Sequence, residues 1–113
     1  MLHAAHASRY HWGCGGKAVH RSIGEWQISR VYAVLGCSEP ALFHGQRSLD
    51  IARRARLGRF YVAYAYEALA RAAALAGRRR QRDRWWAAAR RLGPSIRDAD
   101  DRRMLYEDLG TIP

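Results

Sequence analysis

A chain of 113 residues has room for one small domain, which excludes a multidomain enzyme. Its 49% hydrophobic residues can build a core, which excludes compositional disorder. The 20 basic residues, 19 of them Arg, stand against 10 acidic ones for a net charge of +10.

The opening residues, Met1 to His6, lack the cationic and then apolar order of a signal peptide, and no apolar run reaches the length of a membrane span. A cytoplasmic protein with reduced thiols is the expectation, with Cys14 and Cys37 as small packing residues. Gly13-Cys14-Gly15-Gly16 reads as a linker. A helix is then predicted over Gly24 to Leu35, where Trp26, Ile28, Val31, Tyr32, Val34 and Leu35 fall at helical spacings before Gly36. Ser38 as a cap, Glu39 at the positive end and Pro40 in the first turn predict a second helix to Arg56, stopped by Leu57-Gly58. The third, Phe60 to Ala76, is apolar nearly all round and belongs in the middle of a bundle. Its charged residues, Glu67 and Arg71, are spaced i, i+4 with the acid first, the favourable order for an ion pair. After Gly77, the run Arg78-Arg79-Arg80-Gln81-Arg82-Asp83-Arg84 leads into a fourth helix through Trp85, Trp86, Ala89 and Leu92, which Gly93-Pro94 breaks. A closing helix starts at Asp98 or Asp100 and passes through Met104, Leu105 and Leu109. No strand-like alternation of useful length occurs, so the fold class is all-α.

An internal repeat organises these elements. Ile28 to Gly36 aligns without gaps on Leu69 to Gly77, keeping large, small, Arg and terminal Gly in register with a period of 41 residues. Each copy is an αα-hairpin that must stack on a neighbour to bury its apolar face. On Ile28, Ser29, Tyr32, Gly36, Ala41 and Ser48 in one unit, and Leu69, Ala70, Gly77, Trp86 and Ala89 in the next, the sequence resembles a tetratricopeptide-repeat protein. The run Gly24 to Gly36 is also similar to small uncharacterised bacterial tetratricopeptide-like proteins. The resemblance implies one domain, a short solenoid of about five helices. Residues 24–56 form the first hairpin, 60–92 the second, 98–110 the closing helix, and 1–12 the second helix of an incomplete leading unit. Three features depart from the pattern: the period exceeds the usual ~34 residues, Arg82 stands where a small residue is expected, and Ala73 replaces the Tyr of the first unit. An uncapped leading end further suggests homodimerisation there.

The resemblance also implies function, as an adaptor or scaffold binding an acidic peptide or protein without catalysis or cofactor. The positions matching the family's groove are Trp26 and Arg30 in one unit and Tyr64, Glu67 and Arg71 in the next. Arginines among aromatic rings can grip a carboxylate by forked hydrogen bonds and stacking. Glu67 is the one acid set in an apolar helix, but Arg71 beside it is expected to hold it ionised as a structural pair, which disfavours a general base.

Two alternatives stand beside this reading. Residues 47–91 carry 13 Arg against Asp50, Glu67 and Asp83, and in the segment 78–91 Arg78, Arg79, Arg80, Arg82, Arg84, Arg90 and Arg91, with Trp85 and Trp86 between them, combine phosphate-neutralising charge with stacking surfaces for nucleic acid. A small helical metal-binding protein is the other. His3 and His6 share a helical face, with His11, His20 and His44 elsewhere, yet no further ligand motif completes a zinc set, and no metal site is assigned.

Overall fold

A computed structural model describes residues 16–113 as five α-helices, α1 (Gly16–Val34), α2 (Ser38–Arg54), α3 (Arg59–Leu75), α4 (Arg79–Leu92) and α5 (Ala99–Gly110), with a 3-10 turn at Gly93–Ser95. No strand occurs among the described residues, and the all-α class holds. The readings that rest on His3, His6, His11, Cys14, Gly13 to Gly15, the leading half-unit over 1–12 and dimerisation through it lie outside the described residues.

The first three helices end by one geometry. After α1, the Cys37 amide donates to the Tyr32 carbonyl at 2.9 Å and Gly36 to Ala33 at 3.1 Å. After α3, Arg78 donates to Ala73 at 2.9 Å and Gly77 to Ala74 at 3.2 Å. Gly36 and Gly77 carry the left-handed residue that this ending requires, at φ 80° and 74°. After α2 the same bonds run from Leu57 to Ala52 and from Arg56 to Arg53, but here the left-handed residue is Arg56, at φ 53°. The stop expected at Leu57-Gly58 is therefore made one residue earlier, and Gly58 instead precedes α3 in an extended conformation.

Two helix starts also differ from expectation. α1 begins at Gly16 rather than Gly24, so Gly16 belongs to the helix and not to a linker. Val19, Ile23 and Trp26 continue the buried stripe upstream, and that burial outweighs the ~1 kcal/mol that an interior Gly24 costs a helix. In α2, Cys37 holds the capping position without a side-chain bond, and Ser38 is already helical. Cys37 is exposed, so it does not pack as expected. In α5 the Asp98 carboxylate accepts from the Asp101 amide at 2.9 Å, which fixes the start at Ala99.

The apolar α3 lies in the middle, packed on α1, α2, α4 and α5. Ala63, Ala65, Ala70, Ala72 and Ala73 are fully buried and let its neighbours approach closely. The main core joins Val19, Ile23, Trp26, Phe60, Tyr64, Leu105 and Leu109; a smaller one joins Leu49, Ala65 and Leu69. α1 and α2 cross through hydroxyls: Ser48 donates to the Ser22 carbonyl at 2.8 Å and Ser29 to the Ala41 carbonyl at 2.7 Å. These bonds satisfy polar groups that a close, dry crossing would otherwise orphan. Gly45 lets α2 approach both neighbours, since a Cβ there would stand 3.2 Å from Leu69 of α3 and 3.4 Å from Ser29 Oγ of α1.

Candidate functional site

The charged residues of the apolar helix do pair. Arg71 donates from Nε and Nη2 to Oε2 of Glu67, at 3.0 and 2.7 Å, and its Nη2 also reaches the Asp108 carbonyl at 3.0 Å and Thr111 Oγ1 at 2.8 Å. One guanidinium thus ties α3 to the end of α5. Arg30, from α1, places Nη1 3.7 Å from the same Oε2. Glu67 is wholly buried, and its other oxygen, Oε1, has no hydrogen-bond partner among the described residues.

Burial therefore pushes the Glu67 carboxyl up from the ordinary glutamate range, against the pull of Arg71 and Arg30. Arg71 was expected to hold Glu67 ionised; its pull is present, but desolvation is the larger influence and acts the other way. Below it, the Tyr64 hydroxyl donates to Asp108 Oδ2 at 2.7 Å. Burial and that bond raise the phenol, which stays protonated.

Of the five groove residues read from the sequence, three lie inside. Trp26 and Tyr64 are core residues with ring centroids 4.5 Å apart, and Glu67 is buried beneath the two arginines. Their apolar setting, not a ligand surface, explains their types. Arg30 and Arg71 do come together, on opposite sides of a pocket of about 280 Å³ between α1, α3 and the residues after α5. Its other walls are Ala33, Val34, Leu75, Thr111 and Pro113. Arg71 is largely committed to its four acceptor contacts. Arg30 is 30% exposed and, beyond its 3.7 Å ion pair with Glu67, makes no hydrogen bond to a described residue.

Asp108 and Thr111 were not among the residues read as functional, because their partners lie 37 to 44 positions away. One signal was there: an acid near the carboxyl end of a helix opposes the dipole and asks for a cationic partner.

The basic run is divided. Arg78 donates to Glu39 at 3.1 Å, joining the starts of α4 and α2, and Arg82 donates to Asp83 and to the Pro113 carbonyl. Arg82 thus fills its non-standard place by reaching the chain's last residue. Arg79, Arg80 and Arg84 are exposed. Trp86 donates to the Leu109 carbonyl at 3.0 Å against the main core, while Trp85 packs on the smaller core and stays half-exposed. His44 accepts or donates at 2.6 Å with Glu25 and stacks on Tyr32. Among the described residues no three His, Cys, Asp or Glu side chains gather where a metal ion could be held. No described helix is long and apolar enough to cross a membrane. No protein-family model, no curated protein and no solved structure matches the chain.

Proposed function

We propose that the protein is a tetratricopeptide-like interaction module, without catalysis of its own, that takes an acidic or carboxylate-ended peptide in the pocket beside Arg30. The observation that carries this reading is the shared oxygen of Glu67. Arg71 saturates that oxygen, leaving Arg30 charged, partly exposed and held only by a 3.7 Å ion pair where it lines a pocket with apolar walls. A guanidinium in that state favours a carboxylate, with which it can form two parallel charge-assisted bonds. Val34 and Leu75, both exposed, would cover an apolar side chain next to that carboxylate. The contact of α1 with α3, the first helices of successive hairpins, supports the repeat reading.

The test is fluorescence anisotropy with two hexapeptides ending in Asp-Leu, one with a free terminal carboxylate and one amidated. The free acid is expected to bind at least ~10-fold more tightly, a difference of about 1.4 kcal/mol for one charge-assisted pair. Arg30→Gln should abolish that preference while Arg79→Gln leaves it. Equal binding of the two peptides, or an unchanged preference in Arg30→Gln, would refute the proposal.

A further inference from the structure

A second feature lies on the opposite helices and is independent of the Arg30 pocket. α2 and α4 both pack on α3 without close backbone contact with each other, and an open groove of about 680 Å³ lies between them. Tyr66 of α3 and Trp85 of α4, both half-buried, line it together with Leu49. Its cations come from both sides: Arg53 from the last turn of α2, Arg84 and Arg91 from α4. All three are exposed, and none has an ion-pair or hydrogen-bond partner among the described residues. One acid, Asp83, also lines the groove, and its carboxylate is paired with Arg82.

We infer that this groove binds single-stranded nucleic acid, with Arg53, Arg84 and Arg91 on phosphates and Trp85 and Tyr66 as stacking surfaces for bases. Charge alone would suit any polyanion. The aromatic side chains between the cations favour a strand whose every unit pairs a phosphate with a planar ring, because stacking on Trp or Tyr tolerates any base. An acidic polypeptide would use the arginines and leave those rings uncovered. The structure moves the site away from Arg78 to Arg80, where Arg78 is paired with Glu39, and brings in Arg53, which is distant from that run in sequence.

The experiment is anisotropy of a labelled twelve-residue oligothymidylate with the whole chain, titrated at about 50 and 200 mM salt. Three phosphate contacts on a single strand predict roughly 20-fold weaker binding at the higher salt. Combined Arg53→Gln, Arg84→Gln and Arg91→Gln should weaken binding at least ~10-fold at low salt and flatten the salt dependence, with helix content unchanged by circular dichroism. Combined Arg79→Gln and Arg80→Gln should cost less. Trp85→Leu should weaken oligothymidylate by about 5-fold or more and leave the binding of inorganic polyphosphate unchanged, which separates stacking from loss of fold. Failure of oligothymidylate to bind at low salt, a triple variant no weaker than wild type, or polyglutamate of equal length binding as tightly would each overturn the inference.

Discussion

Arg30 and Arg71 hold the same place in two hairpins, 41 residues apart, and both reach Oε2 of Glu67, at 3.7 and 2.7 Å. The repeat thus delivers two cations to one carboxylate, and the two are not equivalent. Arg71 is 14% exposed and bonded to two structural elements; Arg30 is 30% exposed and bonded to none that is described. One position is locked into the fold, and the other is held by a single long ion pair.

Stability measurements should separate them. Arg71→Ala leaves a buried carboxylate without its hydrogen bonds and detaches the end of α5, and is expected to cost about 3–5 kcal/mol. Arg30→Ala removes a longer, partly exposed ion pair and should cost less than ~1 kcal/mol. Urea midpoints of the two variants check both figures. A similar loss in each would mean that Arg30 is also structural and would remove the basis for peptide capture.

The pH dependence of stability should carry two opposed contributions. Glu67 has a carboxyl raised above its ordinary 4.5. Between 4.5 and the raised value the folded chain binds more protons than the unfolded one, so this contribution falls as pH rises. Glu25 behaves the other way. Burial lifts its carboxyl, but the bonds from His44 and Arg47 outweigh that and hold it below 4.5. Its contribution is present above 4.5 and is lost as pH falls through the lowered value. Subtracting the stability profile of Glu67→Gln from that of the wild type should give a curve that declines with pH. The same subtraction with Glu25→Gln should give one that climbs.

How much of this was legible in the sequence depended on the distance over which each interaction acts. Gly36 and Gly77 announced the ends of α1 and α3 because a left-handed residue is most cheaply a glycine. Glu67 and Arg71 announced their pair because both lie on one helix. Gly24 misled, since a local breaker was outweighed by tertiary burial of Ile23 and Trp26 on either side. Arg30 and Arg71 were named together through the repeat, but nothing local showed that Trp26, Tyr64 and Glu67 beside them are buried. The contacts of Arg71 with Asp108 and Thr111, and the facing of Arg53 with Arg84, arise only from chain reversal. No local pattern encodes them.

Gly93 should prove sensitive for a reason that turn chemistry does not give. Its φ is an ordinary −51°, yet a Cβ added there would stand 2.2 Å from the Tyr106 hydroxyl and 2.5 Å from its ring. That ring packs against the main core and carries the Arg90 guanidinium 4.1 Å from its centroid, so a retreat gives up both contacts. Gly93→Ala is expected to cost about 1–3 kcal/mol through this overpacking. Combining it with Tyr106→Ala should recover much of the loss, and thermal unfolding of the single and double variants checks the coupling.

Arg56 offers the converse case. It ends α2 in the geometry that glycine provides after α1 and α3, at φ 53°, where a side chain costs about 1–2 kcal/mol. Arg56 is exposed, and no hydrogen bond or ion pair within the described residues depends on its guanidinium. Arg56→Gly therefore relieves the strain and loses little in the folded state. Part of the gain is returned because glycine also gives the unfolded chain more freedom. The net expectation is a stabilisation of about 0.5–1 kcal/mol, read as a higher urea midpoint with an unchanged slope. Gly36→Ala and Gly77→Ala impose the strain that Arg56 already bears, and each should cost about 1 kcal/mol of stability, read as a lower midpoint. If Arg56→Gly lowers it as well, the guanidinium must contribute more to the folded state than its exposed position provides for.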